Sequence, residues 1–290
     1  ETPFLAKASN PVAWRGSLEI KSLIFFHSPI VANGAWEVLA GAPPVHINLH
    51  GVEARRTIFY RRCGGHVFGG RSTRAAMLAT LAKRAGARAI LPRYPLAPEN
   101  PFPAAPDHCL AAYRALLATG VDPANVIVGG DSSGGNLAFA LIADLCASGE
   151  PLPAGVFGLS PLLDLAHTGA SIVENAKADV VLPTSRLHEA TANYLNEHAV
   201  DDPRASPLYA DFSDAPPVWL AVGDTEILLD DSRRMAAQLE AQGVPVDLTV
   251  ERDLPHVWPL FHNLIPEANA TLDQLAVWIK AQTGASAPTR

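Results

Sequence analysis

The chain has 290 residues, of which 48% are hydrophobic and 18% charged, and its formal net charge is −7. That length buries a sizeable core in one large α/β domain or two small ones, and the hydrophobic fraction excludes wholesale disorder. The pI is near 5.8 without any Lys/Arg block, and no apolar run reaches the roughly 20 residues of a membrane-spanning helix. We therefore expect neither nucleic acid nor a membrane as a partner.

The N-terminal segment and the cysteines bear on the cellular compartment. No charged stretch followed by an apolar run and a cleavage site occurs near the N-terminus, so no secretory signal is predicted. The chain begins with Glu1 rather than Met, which leaves a trimmed leader open. The three cysteines, Cys63, Cys109 and Cys146, are odd in number and form no CxxC pair. We therefore expect no disulfide framework, no structural zinc site and a reducing, cytoplasmic location.

Short apolar runs alternate with amphipathic helical stretches along most of the chain. The predicted strands are Val45–Leu49, Thr57–Tyr60, Ala87–Leu91, Asn125–Gly129, Gly155–Leu159, Pro217–Val222 and Val246–Val250. The predicted helices are Arg71–Arg84, Ala104–Ala118, Gly134–Ala147, Asp231–Gln242 and Thr271–Ala281. This alternation is typical of βαβ units, and it predicts an α/β domain over 41–290 with a mostly parallel central sheet flanked by helices.

Two segments lie outside this alternation. The segment at about 166–206 holds a helical stretch, Ser185–Glu197, but no clear strand, so we interpret it as an insertion over the sheet. Residues 1–40 also lack the alternating pattern, and we treat them as a separate N-terminal segment.

A glycine-rich sequence joins a predicted strand to a predicted helix. The strand Asn125–Gly129 runs directly into GDSSGGN at 130–136, which contains G-x-S-x-G, and a strand–turn–helix context for that motif is typical of a nucleophile elbow. Glycines let the strand and the helix approach closely, and the helix N-terminus directs free N–H groups at a forming oxyanion. The glycine spacing selects Ser132 rather than Ser133 as the nucleophile. The alternative is a glycine-rich turn with a capping serine.

In hydrolases with a nucleophile elbow, the base is a histidine that follows the serine and the acid along the chain. Among the later histidines, His256 lies in the loop directly after the last predicted strand, Val246–Val250. Catalytic groups gather in loops at the carboxyl ends of strands in open α/β sheets, so His256 is the predicted base. The others are expected to be surface or satisfied core residues: His167, His188, His198 and His262.

The acid is expected in the loop after the predicted strand Pro217–Val222. Asp224 and Glu226 both lie in that loop, and either can accept the imidazole N–H and stabilise the imidazolium. Their spacing alone does not separate them. Asp230 and Asp231 instead fit the start of the next helix, where carboxylates cap the helix and favour its dipole.

Several motifs together resemble the bacterial hormone-sensitive-lipase-like (family IV) carboxylesterases of the α/β-hydrolase superfamily. These are GDSSGG at 130–135, YPLAPENPFPAA at 94–105, Ser160-Pro161, Ala205-Ser206-Pro207, the segment Gly223–Ser232 and His256-Val257-Trp258. The family places its acid four residues before an Asp, and that register selects Glu226 with Asp230. The resemblance implies an α/β-hydrolase fold in which a helical cap, built from residues 1–40 and the insertion at about 166–206, covers the active site.

The family's oxyanion loop, H-G-G-G followed by Phe or Tyr, matches this chain in part. Its second and third glycines correspond to Gly64 and Gly65. The resemblance implies that their N–H groups bind the oxyanion, together with the N–H of Ser133 as a third donor.

Two motifs depart from the family pattern in their charges. Arg62 and Cys63 replace the leading His and the first Gly, and Arg93 stands where the family has an acid. A Cβ at position 63 restricts φ, and the charge of Arg62 must reach water or a carboxylate, which would pull the loop outward. We therefore expect a slow esterase, and restoring the family residues should raise kcat. Cys63 is better interpreted as a small buried residue than as a second nucleophile, because no positioned base can be named for it.

The motifs predict a serine hydrolase that cleaves short- to medium-chain carboxylic esters through an acyl-enzyme. Its catalytic residues are Ser132, Glu226 and His256, and no HExxH, Walker or GxGxxG sequence points to a metal or a cofactor. The expected partner is a small-molecule ester, and a homodimer is a further expectation. Two alternatives stay open: hydrolysis of a lactone or an amide by the same triad, and a non-catalytic ligand-binding homologue.

Overall fold

A computed structural model describes residues 45–47, 55–68 and 72–284. Its strands are β1 (Val45–Ile47), β2 (Arg56–Arg61), β3 (Ala87–Leu91), β4 (Val126–Asp131), β5 (Gly155–Leu159), β6 (Val218–Gly223) and β7 (Val246–Glu251). They form one sheet in the order β1-β3-β2-β4-β5-β6-β7. Strand β1 pairs antiparallel with β3, and every other pairing is parallel. The predicted α/β class and the mostly parallel sheet are confirmed.

The central strands form because their apolar runs are covered on both faces. Every residue of β4, β5 and β6 is buried, as is usual for parallel strands with helices on both sides. The edge strand β7 contains only partly buried and exposed residues. These differences in burial explain why contiguous apolar runs predict the inner strands well. Of the predicted first strand, Val45–Ile47 is a strand in the structure, and the two residues after it lie outside the described range.

Helices cover both faces of the sheet. They are α1 (Ser72–Ala85), α2 (Ala104–Ala118), α3 (Ser133–Ser148), α4 (Ser171–Glu174), α5 (Leu187–Leu195), α6 (Leu229–Ala241) and α7 (Pro266–Gln282). Helices α1 and α7 pack with Trp258 on one face, and α2, α3 and α6 pack on the other. Helix α7 begins at Pro266, before the predicted Thr271, because proline is well suited to the first position of a helix.

The chain between β5 and β6 contains helices and no strand. A short 3₁₀ turn, Thr184–Arg186, precedes α5, so the predicted helical stretch Ser185–Glu197 is divided in two. The apolar face of α5 packs on the loops that follow β2 and β3 and on α2 and α3. The insertion is therefore attached over the carboxyl ends of the strands. Residues 1–40, predicted as an N-terminal cap segment, lie outside the described residues.

Candidate active site

Ser132 occupies the sharp turn between β4 and α3. Its backbone has φ 52° and ψ −122°, a strained conformation for a residue with a side chain. The turn is possible because its neighbours are glycines: a Cβ on Gly130 would lie 2.2 Å from the carbonyl oxygen of Gly134. A Cβ on Gly134 would lie 2.1 Å from the carbonyl oxygen of Arg61. The close packing of β2, β4 and α3 thus fixes where the Ser132 hydroxyl is presented.

His256 and Glu226 are in direct contact at the same edge of the sheet. The Nδ1 atom of His256 donates to Glu226 Oε2 over 2.7 Å, and both side chains are buried. Burial alone lowers the pKa of His256, but the hydrogen bond and the negative charge of Glu226 outweigh it, so the net pKa is raised. The Nε2 atom has no hydrogen-bond partner within the described part of the chain, and so no hydrogen bond joins it to Ser132.

Glu226, rather than Asp224, faces the histidine. Its second oxygen, Oε1, accepts the backbone N–H of Gly223 at 2.6 Å and the hydroxyl of Ser160 at 2.7 Å. Asp224 turns the other way, where its carboxylate accepts the backbone N–H of the exposed Asp253. The two candidates that spacing left open are thus separated by the tight turn after β6.

Ser160 holds the acid and the histidine loop together. Besides donating to Glu226, its hydroxyl oxygen accepts the backbone N–H of Val257 at 3.1 Å. Its φ of 48° places it in the left-handed region at the carboxyl end of β5, next to the turn that carries Ser132. In the sequence, Ser160-Pro161 contributes only to the family resemblance. Its contact with the acid spans 66 positions and has no local signal.

The insertion supports the acid loop from the outside. Asn175 donates through its side chain to the carbonyl oxygens of Asp224 and Glu226, at 2.9 and 2.7 Å. Asp179, which is buried, accepts the backbone N–H of Ile227 at 3.0 Å. Nothing in the sequence pattern predicts these two residues, because they lie in an insertion with no recognised motif. Asp231, expected to cap α6, instead accepts backbone N–H groups at the start of the insertion.

The oxyanion loop turns sharply at its two glycines. Gly64 has φ 151° and Gly65 has φ 53°, both in the region that favours glycine. The N–H of Gly64 donates to the hydroxyl oxygen of Ser133 at 3.0 Å. The N–H of Gly65 donates no hydrogen bond within the described residues. Of the predicted oxyanion donors, the N–H of Gly65 is thus free within the described residues, whereas the N–H of Gly64 is hydrogen-bonded to Ser133, the first residue of α3.

A buried ionic network holds the start of that loop. Asp131, the residue before Ser132, accepts the backbone N–H of Cys63 at 3.0 Å and the hydroxyl of Tyr60 at 2.9 Å through one oxygen. Its other oxygen accepts Nε of Arg74 at 2.8 Å, within an ion pair of buried side chains. A buried carboxylate is stable only when it is paired and hydrogen-bonded in this way. Arg74, on α1, therefore helps to fix the loop, although the sequence does not single it out.

Comparisons with known proteins agree with this geometry. A family model for the alpha/beta hydrolase fold matches residues 58–260. An esterase of Acinetobacter venetianus is 37% identical over 224 residues, covering 77% of this chain and 74% of that protein. An acetyl-hydrolase of Streptomyces hygroscopicus is 34% identical over 229 residues, covering 79% and 77%. The crystal structure of an esterase from the bacterial hormone-sensitive lipase family superposes with a TM-score of 0.92 at 36% identity, covering 96% and 93%.

The chain belongs to the bacterial hormone-sensitive-lipase-like esterases of the α/β-hydrolase fold. It is a carboxylic ester hydrolase, as the motifs predict. Within residues 45–47, 55–68 and 72–284, no helix has the length and apolar character that crossing a membrane requires. In the same ranges, no three metal-binding side chains form a group that could hold an ion.

Arg62, an unusual residue of this esterase's oxyanion loop, points into the protein. The Arg62 guanidinium is buried, donates to the carbonyl oxygen of Phe68 at 2.8 Å and lies 4.8 Å from the centre of the Tyr94 ring. Tyr94 in turn donates its hydroxyl to the Arg62 carbonyl at 3.0 Å. The expectation that Arg62 pulls the loop outward is wrong, because a carbonyl and a ring face meet its charge. Arg93 is exposed and lies apart from this contact.

Cys63 keeps an ordinary backbone conformation in this esterase. It is not among the described non-glycine residues with positive φ, so its Cβ imposes no strain on the loop. Burial raises the pKa of the Cys63 thiol to about 12, even though Arg74 beside it acts in the opposite direction. A thiol with such a pKa remains protonated near neutral pH, which argues against a second nucleophile.

Proposed function

We propose that Ser132, His256 and Glu226 are the catalytic triad of this esterase. The observation that carries the proposal is the 2.7 Å contact between His256 Nδ1 and the buried Glu226, at the sheet edge where Ser132 stands in a strained turn. Such a contact fixes the tautomer of the ring and leaves Nε2 free to take a proton. The strained serine and the paired histidine come from distant parts of the chain, and a purely structural role does not require both.

In the proposed mechanism, the hydroxyl oxygen of Ser132 attacks the acyl carbon while Nε2 of His256 takes the hydroxyl proton. Glu226 stabilises the imidazolium, in keeping with the raised pKa of His256. The ring then gives its proton to the leaving alcohol as the ester bond breaks. Water repeats the sequence on the acyl-enzyme, releasing the carboxylic acid and returning Ser132 to its starting state.

We assign the oxyanion to the N–H groups of Gly65, Gly64 and Ser133. Gly65 N–H has no competing partner in the described chain, and Ser133 is the first residue of α3, whose N-terminal end favours negative charge. Gly64 N–H is engaged by the Ser133 hydroxyl, which is neutral and therefore a weaker acceptor than an oxyanion. The oxyanion is thus expected to displace the hydroxyl as it forms. Removing one such donor in comparable sites costs about 10²–10³ in rate.

We further propose that the substrates are esters of short to medium acyl chains. The insertion packs over the carboxyl ends of the strands, which limits the room for an acyl chain. The resemblance to the hormone-sensitive-lipase-like esterases points to acyl chains of about two to eight carbons. One relative carries the name acetyl-hydrolase, which supports a short acyl group. Lactones and amides use the same machinery and stay as alternative substrates. Turnover of p-nitrophenyl butyrate should exceed that of emulsified triolein, and the reverse order would contradict this substrate class.

A labelling experiment tests the nucleophile directly. A fluorophosphonate probe followed by peptide mass spectrometry should find the label on Ser132, with none on Ser133 or Cys63. Ser132→Ala should lose turnover of p-nitrophenyl acetate by about 10⁴-fold or more. Ser133→Ala controls for the site of labelling, since it removes the neighbouring hydroxyl and should still be labelled on Ser132. Wild-type protein without turnover or labelling would support a non-catalytic, ligand-binding homologue instead.

The assembly, the cap and the location are also proposals. We expect a homodimer, which light scattering after size exclusion would measure, and a cap in which residues 1–40 join the insertion. Removal of residues 1–40 should then change the acyl-chain preference and leave the labelling of Ser132 intact. A cytoplasmic location is expected from the sequence alone, and fractionation of the native cells would test it.

A further inference from the structure

The residue after the two oxyanion glycines is stacked on the insertion. His66 directly follows Gly65, and its ring lies parallel to the ring of Tyr194, with 3.7 Å between the ring centres and 10° between the planes. Both side chains are fully buried. Tyr194 belongs to α5, so this contact joins the oxyanion loop to the insertion.

Backbone hydrogen bonds fix both members of the stack. The carbonyl oxygen of His66 accepts the N–H of Ala97 at 3.1 Å, and that of Tyr194 accepts the N–H of Phe102 at 2.8 Å. The Phe102 ring also meets the Tyr194 ring edge-on, with 5.8 Å between centres. The loop containing Ala97 and Phe102 therefore supports the stack from a third side.

The backbone of His66 is held in an unfavourable conformation. Its φ of 63° lies in the left-handed region, which a residue with a side chain adopts only where its surroundings impose it. Gly65, with φ 53°, also lies in the left-handed region, so the two residues form one continuous turn. The direction of the Gly65 N–H thus depends on the contacts that keep His66 in place.

The stack is formed by an uncharged imidazole. Burial lowers the pKa of His66 to about 3, and the Asn136 side chain beside it offsets this only in part. The ring is therefore neutral throughout the pH range in which esterases are assayed. An aromatic ring without nitrogen, such as phenylalanine, should preserve the stacking contact at this position.

We propose that the His66–Tyr194 stack positions the Gly65 N–H for the oxyanion, which makes His66 and Tyr194 positioning residues of this esterase. The proposal rests on the function proposed above. It implies that the insertion takes part in catalysis through α5, by holding a donor that acts on the transition state. An interaction of this kind affects kcat more than substrate binding, because the oxyanion exists only after attack.

Four variants test the proposal. His66→Ala and Tyr194→Leu remove the stack from either side, and His66→Phe and Tyr194→Phe retain it. His66→Ala and Tyr194→Leu should each lower kcat for p-nitrophenyl butyrate by about 10- to 100-fold and change KM far less. The reason is that a displaced donor weakens the binding of the transition state more than the binding of the substrate. The second pair should keep kcat near the wild-type value. Combining His66→Ala with Tyr194→Leu should cost little more than either change alone.

Thr191→Val is the matched control. Thr191 lies on the same helix α5 and contacts His167 at 2.8 Å, so its loss removes another contact of the insertion without touching the stack. Its kcat should stay within about twofold of wild type. Thermal melts would show which variants are folded, and if His66→Ala is not, the Tyr194→Leu variant tests the stack alone.

Unchanged kcat in folded Tyr194→Leu, or an equal loss in Thr191→Val, would overturn the proposal while leaving the esterase function intact. So would strictly additive losses in the double variant. Failure of the proposed triad gives a different pattern, since Ser132 would then not be labelled in the wild-type protein and Ser132→Ala would keep its turnover.

Discussion

Replacing Arg61 by methionine should stabilise the fold. Arg61 is the last residue of β2 and is fully buried, yet its guanidinium makes no ion pair within the described chain. One nitrogen donates to the carbonyl oxygen of Cys109 at 2.9 Å, whereas Nε and Nη1 have no partner in that part of the molecule. The guanidinium carbon lies 4.2 Å from the centre of the Phe59 ring. Burial lowers the pKa of Arg61, because desolvation disfavours the charged form of the guanidinium.

The size of the effect follows from these contacts. An ion held in the protein interior costs several kcal/mol even after relaxation, and a cation–π contact returns about 0.5–2 kcal/mol. Methionine has a similar length and no charge, but it leaves the Cys109 carbonyl without its donor, which costs about 1–3 kcal/mol. We expect a net gain of about 1–3 kcal/mol in the free energy of unfolding, within the range seen when buried ions are replaced by apolar residues. For a domain of this size, that raises Tm by about 2–5 °C.

Thermal melting of Arg61→Met beside wild type measures the effect. Arg93→Met is the matched control, because it makes the same chemical change at an exposed position and should leave Tm almost unaltered. Urea unfolding should show a higher midpoint with an unchanged m-value. A Tm of Arg61→Met at or below that of wild type would refute the reasoning, since it would mean that the single carbonyl and the ring already offset the cost of burial.

Three more changes give distinct outcomes. Glu226→Gln should reduce kcat by about 10⁴-fold, and Asp224→Asn should reduce it far less; a larger loss at Asp224 would reverse the assignment of the acid. Burial raises the pKa of Asp231 to about 7. Its contribution to folding stability is therefore complete below about pH 4 and is lost as the pH rises through 7. Asp231→Asn should flatten the fall of Tm between about pH 4 and pH 7. Restoring the family residues with Arg62→His and Cys63→Gly should lower kcat or leave it unchanged, because both native residues are satisfied by their neighbours; a tenfold rise would show that they strain the loop.

Much of the fold is encoded in local patterns. The strands β4, β5 and β6 are contiguous apolar runs between turn residues, and burial on both faces makes such runs easy to recognise in a sequence. Helix ends are less predictable: α7 begins at Pro266, where the apolar periodicity has not yet started. The division of the insertion into α4 and α5 depends on tertiary contacts and has no periodic signal.

The candidate site shows the same division between local and distant information. Ser132 and His256 are marked by a motif and by a place in the strand order, and both lie where the sequence predicts. The sequence favours Glu226 over Asp224 as the acid only through the register of the family motif. The two residues differ in their partners only because of the tight turn after β6, which local patterns do not reveal. Ser160 gave no sign of its contact with the acid, since the two residues meet only after the sheet has assembled.

Three buried arginines around the oxyanion loop show why sequence cannot give the cost of a charge. Arg74 faces the carboxylate of Asp131. Arg62 and Arg61 each have one carbonyl and one ring, but within the described residues only Arg61 keeps two guanidinium nitrogens buried without a partner. Removing Arg74 would leave Asp131 buried without its cation, so Arg74→Met should lower the free energy of unfolding by about 3–5 kcal/mol. The same substitution at Arg61 should raise it. Both arginines are buried, but their removal is expected to change the free energy of unfolding in opposite directions, because only Arg74 is paired with a carboxylate. If the Tm of both variants moved in the same direction, burial alone would govern these sites.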